Sequence, residues 1–156
     1  MLTVNDLMTV DPVTVAPDTS LGRIVALMKK EGCRQLPVVD NDKLVGIVTD
    51  RDVRLILNSP LALQEHSEDK AFVQTIVAEG LMTMNPITVT PDTPAYKAAE
   101  MLSIYKFGAL PVVEGSMLVG IISVTDFLDL VSTSRSEASF LDFVPATRSE
   151  ATFCHP

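Results

Sequence analysis

The sequence predicts an α+β fold of two tandem β-α-β-β-α units, packed sheet to sheet about a pseudo-twofold axis. Three observations carry this. Residues 7–57 lie over residues 81–131 at a constant offset of 74 with no gap. Each copy alternates short β-branched runs with stretches of helical period. A unit of three strands and two helices is too short to bury a core alone, so the copies must pack together.

The self-match is clustered, with 18 of the 51 aligned positions identical, which makes a shared fold the reading to adopt. Leu7-Met8-Thr9-x-x-Pro12-x-Thr14-Val15-x-Pro17-Asp18-Thr19 returns as Leu81-Met82-Thr83-x-x-Pro86-x-Thr88-Val89-x-Pro91-Asp92-Thr93. Leu36-Pro37-Val38-Val39 returns as Leu110-Pro111-Val112-Val113, Leu44-Val45-Gly46-Ile47 as Leu118-Val119-Gly120-Ile121, and Asp52 as Asp126.

Each element has a local cause. Val13-Thr14-Val15 is β-prone and is closed by Pro17, which has no N–H for a ladder. Leu21, Ile24, Val25 and Met28 share one helix face, and Gly32 stops that helix. Leu36–Asp40 and Leu44–Thr49 flank the turn Asp40-Asn41-Asp42-Lys43 as a hairpin. A second helix runs from Asp50 to Leu57 with Thr49 as its N-cap. The second copy repeats this order: Ile87–Val89, a helix carrying Ala95, Ala98, Ala99 and Leu102, strands Leu110–Val113 and Leu118–Ser123 around Glu114-Gly115, and a helix from Val124. Residues 71–80 read as a short helix entering the second copy, and Thr3–Met8 play that part for the first. The resulting boundaries are 1–59, first repeat with its entry helix; 60–79, linker and start of the second entry helix; 80–132, second repeat; and 133–156, a tail. That tail echoes itself (Arg135–Phe140, Arg148–Phe153), as a frayed helix extension and disordered end or as a docking segment.

Composition narrows the function classes. At 47% apolar residues the 156-residue chain is globular, and it has no apolar run long enough for a membrane span. Without a signal-peptide pattern at its start, the expected compartment is the cytoplasm. A net charge of −8 argues against nucleic acid but permits one small anion held by a local Arg cluster. Cys33 and Cys154 are far apart, as are His66 and His155, and none falls in a CxxC or zinc-ligand spacing, so neither a disulfide framework nor a zinc site is expected. No nucleophile–His set, HExxH or P-loop is present, and an enzyme is not expected.

The chemistry-bearing motif is Gly-h-h-Thr/Ser-x-x-Asp, at Gly46-Ile47-Val48-Thr49-Asp50-Arg51-Asp52 and at Gly120-Ile121-Ile122-Ser123-Val124-Thr125-Asp126. A strand there ends at a helix N-terminus, where free N–H groups and the helix dipole favour a phosphate. The carboxylate can accept both hydroxyls of a ribose. Thr49-x-x-Asp52 and Ser123-x-x-Asp126 equally have the spacing of a capping box, which needs no ligand. The two roles are compatible.

The ordered set Leu-Met-Thr-x-x-Pro-x-Thr-Val, Leu-Pro-Val-Val and Gly-Ile-Val-Thr-Asp-Arg-Asp, occurring twice, resembles the CBS domain, the unit named after cystathionine β-synthase. The chain looks like a stand-alone tandem pair (a Bateman module), over about 130 of its 156 residues. The resemblance implies no obligatory cofactor and a regulatory ligand containing adenosine: AMP, ADP, ATP, with or without Mg, or S-adenosylmethionine. It implies a separate regulated protein as partner and a homodimer arranged as a four-repeat disc. Apolar residues on more than one face of the closing helices, 53–57 and 127–131, agree with a dimer.

The resemblance also implies two clefts between the repeats. Cleft one joins Thr49, Arg51 and Asp52 to Thr83, Ile87 and Thr88, with Arg34, Gln35 and Leu36 beside the phosphate or base. Cleft two joins Ser123, Thr125 and Asp126 to Thr9, Val13 and Thr14, with Gly108, Ala109 and Leu110. Aliphatic residues suit a flat adenine, and no tryptophan is available for stacking. With Arg34 and Arg51 against Gly108 and Thr125, cleft one is the expected phosphate site. A ligand-free dimeric scaffold with degenerate clefts is the alternative.

Overall fold

A computed structural model of the chain describes residues 1–58, 71 and 74–133. Residues 59–70 and 72–73 of the linker, the tail beyond Thr133, Cys154 and both histidines lie outside the described residues. In chain order the elements are α1 (Val4–Leu7), β1 (Thr9–Val10), α2 (Leu21–Glu31), β2 (Gln35–Asp40), β3 (Lys43–Thr49) and α3 (Asp50–Leu57). The second half gives α4 (Ala78–Leu81), β4 (Thr83–Met84), α5 (Ala95–Tyr105), β5 (Ala109–Glu114), β6 (Met117–Ser123) and α6 (Val124–Thr133).

The hairpins form as their turns demand. Asn41 and Asp42 both have positive φ, 48° and 65°, the backbone of a tight turn whose twist matches antiparallel strands. Val38 faces Gly46 while Val39 faces Leu44, so Val45 is a bulge; β5 and β6 repeat it at Val119. Ser20 caps α2 by accepting from the Arg23 N–H, and Gly32 ends it in the left-handed region at φ 64°.

Two features depart from the local reading. Val13–Val15 and Ile87–Val89 are not strands: only Val15 and Val89 bridge, to Val38 and Val112. The strands are instead the two-residue β1 and β4, and each pairs with the other repeat. Thr9 and Val10 face Ile121 and Gly120 of β6, while Thr83 and Met84 face Ile47 and Gly46 of β3. With Lys43 facing Met117, the strands of both repeats join in one six-stranded hydrogen-bonded sheet.

The entry helices cross over too, and residues 71–80 are not one continuous helix. Ala71 and Gln74 are helical, but Val77 is extended and bridges Ser20 before the single turn α4. The Ala78 N–H donates to the Thr19 carbonyl at 2.8 Å, and in symmetric fashion the Val4 N–H donates to the Thr93 carbonyl at 2.9 Å. Two apolar cores result. One joins Leu21, Ile24, Leu36, Val38, Val48 and Val53 to Ala78 and Leu81; the other joins Ala95, Ala98, Leu102, Leu110, Val112, Ile122 and Phe127 to Val4. Each repeat thus lends its entry segment to the other's core.

Candidate functional site

The exchange of entry segments builds the clefts. Pairing Thr9 with Ile121 sets β1 two residues from Ser123, and pairing Thr83 with Ile47 does the same beside Thr49. This close approach explains the glycine of the motif. A Cβ on Gly120 would lie 2.9 Å from the Thr9 carbonyl oxygen and 2.6 Å from Met8 Sδ; one on Gly46 would meet Met82 Sδ and, at 3.0 Å, the Thr83 carbonyl. The glycines make room for the exchanged strands.

Both capping boxes are formed. Asp52 Oδ2 accepts from the Thr49 N–H and Oγ1, both at 2.8 Å, and the Asp52 N–H donates to Thr49 Oγ1 at 3.2 Å. Asp126 Oδ2 accepts from the Ser123 N–H at 2.6 Å and its Oγ at 2.9 Å, and the Asp126 N–H donates back to Oγ at 3.4 Å. Each carboxylate therefore spends one oxygen on the cap. Among the described residues Oδ1 accepts nothing, and both aspartates are half-buried. Cap and ligand contact can share one side chain.

Cleft two is a cavity of about 720 Å³. It brings together Thr9, Val13, Gly108, Ser123, Thr125 and Asp126 as the sequence suggested; Thr14 does not line it. Its opposite wall is residues 31–35 of the first repeat, and here the expectation needs correcting. Arg34 and Gln35, assigned to cleft one, line cleft two. Gly108 is the cause: it has no side chain, and the Gln35 amide occupies the space its Cβ would take. The Arg34 carbonyl stays in its own repeat, accepting from the Asp50 N–H at 2.8 Å.

A second correction concerns the aliphatic candidates. Leu36 and Leu110 are fully buried and belong to the two cores, and Ala109 is 6% exposed. Strands β2 and β5 are covered on both faces, so these residues can offer a ligand only backbone groups. Val13 and Ile87, by contrast, are more than a third exposed, and Thr88 is half-buried.

Sequence reasoning missed Cys33, which lines cleft two beside Glu31. Its thiol pKa is raised, first by burial and then by the Glu31 charge, with a backbone hydrogen bond opposing. The signal was its place one residue before Arg34. The described residues hold no cluster of metal-ligating side chains. None of their helices is long and apolar enough to cross a membrane.

The profile of the CBS domain matches residues 4–59 and 77–133, both repeats with their entry segments. The chain belongs to the CBS domain family. It is 35% identical over 131 residues to a CBS domain-containing protein of Dictyostelium discoideum, covering 82% of this chain and 90% of that one. The inosine-5'-monophosphate dehydrogenase of Korarchaeum cryptofilum is also 35% identical, over 74% of this chain, but the match spans only 21% of that enzyme. Among solved structures, the Arabidopsis thaliana CBS-pair protein CBSX2, in complex with AMP, superposes with a TM-score of 0.72 at 30% identity, over 85% of this chain and 97% of that one. A CBS domain pair in complex with 5'-methylthioadenosine and S-adenosyl-L-methionine gives 0.68 at 29%, over 85% and 97%. The tandem CBS fold read from the repeat stands.

Proposed function

We propose that this CBS pair is a regulatory module that binds AMP, ADP, ATP or a related adenosyl ligand between its repeats and signals the occupied state to a partner protein. The observation that carries this is the doubled motif: two Asp side chains with one oxygen capping a helix and the other unused among the described residues, Asp126 lining cleft two and Asp52 at the repeat-related position. Adenosine ligands in two similar CBS pairs support it. In cleft one, Asp52 would hold the ribose, Thr49 and Arg51 the phosphates, and Thr83, Ile87 and Thr88 the base. In cleft two, Asp126 would hold the ribose, Ser123 and Thr125, with Arg34, the phosphates, and Thr9 and Val13 the base. No step is catalytic.

The module acts as a homodimer through α3 and α6 in this reading. Leu55 is 63% exposed, and the symmetry mates Leu57 and Val131 are 39% and 47% exposed, which leaves apolar surface at one end of both closing helices. The test of the nucleotide reading is a melting series with AMP, ADP, ATP and S-adenosylmethionine. At a hundred times the dissociation constant, binding adds about 2.7 kcal/mol, or roughly 5–10 °C. No shift with any ligand at millimolar concentration would leave the capping boxes as the whole role of the motif and favour the scaffold.

A further inference from the structure

Cleft two is walled by residues 31–35 of the first repeat, and the molecule repeats itself 74 residues on. The symmetry extends to individual hydrogen bonds: Asp50 N–H to the Arg34 carbonyl is matched by Val124 N–H to the Gly108 carbonyl. The residues that wall cleft one are therefore 105–109 of the second repeat, and here the copies differ most. Where cleft two has Glu31, Gly32 and Cys33, cleft one has Tyr105, Lys106 and Phe107.

Tyr105 and Phe107 stack on one another, ring centroids 5.4 Å apart and planes 21° from parallel. They remain 50% and 40% exposed, so the stacked pair still presents apolar surface. Lys106 between them sits in the left-handed region at φ 58°, where the first repeat has Gly32. A lysine there costs conformational energy that glycine does not, and it adds a cationic residue to this corner of the second repeat. Arg51, across the cleft, makes no hydrogen bond or ion pair among the described residues. One wall is thus flat, aromatic and positive, and faces a helix N-terminus. Cleft two offers Glu31 at the equivalent place, and its cation is Arg34 on the same wall.

We infer that Tyr105 and Phe107 form a stacking wall in cleft one for the planar base of a phosphorylated nucleoside whose phosphates meet Arg51 and Lys106. This rests on the nucleotide reading above, keeps the charged ligand in cleft one although Arg34 lines cleft two, and adds what grips its base. Stacking on a side-chain ring is tolerant of base identity, so cleft one should accept purines other than adenine.

The sequence supplies its own probe, because it has two tyrosines and no tryptophan. In a Tyr96→Phe background Tyr105 is the one tyrosine emitter. ADP titration, corrected for nucleotide absorption, should quench it saturably, and Asp52→Ala should shift that titration to higher ADP while Asp126→Ala should not. By calorimetry Phe107→Leu, which keeps an apolar side chain, and Tyr105→Leu should each weaken ADP by roughly five- to a hundredfold. ADP binding by calorimetry with Tyr105 emission unmoved, or with both variants at full affinity, would overturn the stacking wall and leave nucleotide sensing intact. Quenching abolished by Asp126→Ala instead of Asp52→Ala would overturn the assignment to cleft one. Absence of binding by any adenine ligand would remove the nucleotide reading itself.

Discussion

Asp52 and Asp126 illustrate how one side chain can be structural and functional at once. The cap uses Oδ2 and leaves Oδ1, so the roles can be separated by mutation. Asp52→Ala should cost about 1 kcal/mol in the absence of ligand, through loss of the box, and should also weaken nucleotide. Asp52→Glu supplies the preferred box partner but moves the free oxygen by a methylene. It should keep the stability and lose affinity. Urea denaturation beside calorimetric titration distinguishes the two; equal loss of stability in both variants would show that the box does not tolerate the longer chain. Cys33 gives a second test at this scale. Its raised pKa keeps it a thiol at neutral pH. In a Cys154→Ser background, iodoacetamide should react slowly at neutral pH and faster as pH rises, and a ligand in cleft two should protect it. The sign for stability follows: the folded state holds this proton more tightly than the unfolded chain. The contribution is full below the unfolded thiol pKa and is lost as pH rises through the folded one.

Among the elements, the exchanged strands β1 and β4 depend on glycine at two points. At Gly120 the nearest obstacles to a Cβ include the Thr9 backbone oxygen at 2.9 Å, which cannot rotate away. Gly120→Ala should therefore destabilise by about 1–3 kcal/mol, as overpacking does, and Gly46→Ala should act in the same direction. Gly22, inside α2 with open space around it, is the control. Gly22→Ala, in the first turn of α2, should stabilise by up to about 0.5 kcal/mol, since alanine is the better helix former. Denaturant midpoints measure all three. A Gly120→Ala protein as stable as the parent would mean that β1 can shift without penalty. The hairpins were legible because their turn residues and β-branched runs are adjacent in sequence. The two-residue strands were not, since Thr9–Val10 has no alternation to count and its partner is more than a hundred residues away.

At the scale of the whole molecule, the entry segments tie the repeats together. Val4 completes the second core, and Ala78 and Leu81 complete the first. Neither repeat alone has its full core, so the pair should unfold as a unit. A fragment of residues 1–59 is expected to lack a cooperative transition by calorimetry; a sharp melt of that fragment would contradict the shared-core account. Dimer formation belongs here as well. Leu55→Glu or Val131→Glu would bury a charge in the proposed interface at high cost and should yield a monomer by sedimentation velocity. A parent protein that already sediments as a monomer at micromolar concentration would overturn the dimer.

What the sequence determined by itself was everything local or repeated: the two copies, their helices and hairpins, the caps at Thr49 and Ser123, and the motif that opens each cleft. Period, turn chemistry and capping act over a few residues, and the repeat doubles each signal. The resemblance already set Thr9 beside Ser123 and Thr83 beside Thr49; only the tertiary structure decided which core each entry helix completes. It sent the entry helices across the dyad and buried Leu36 and Leu110 on strands covered from both sides. It also carried Arg34 and Gln35 over a side-chain-free Gly108 into cleft two. The physical reason is that burial and cross-strand pairing depend on neighbours distant in the chain, and alternation along a strand names two faces without saying what will cover either.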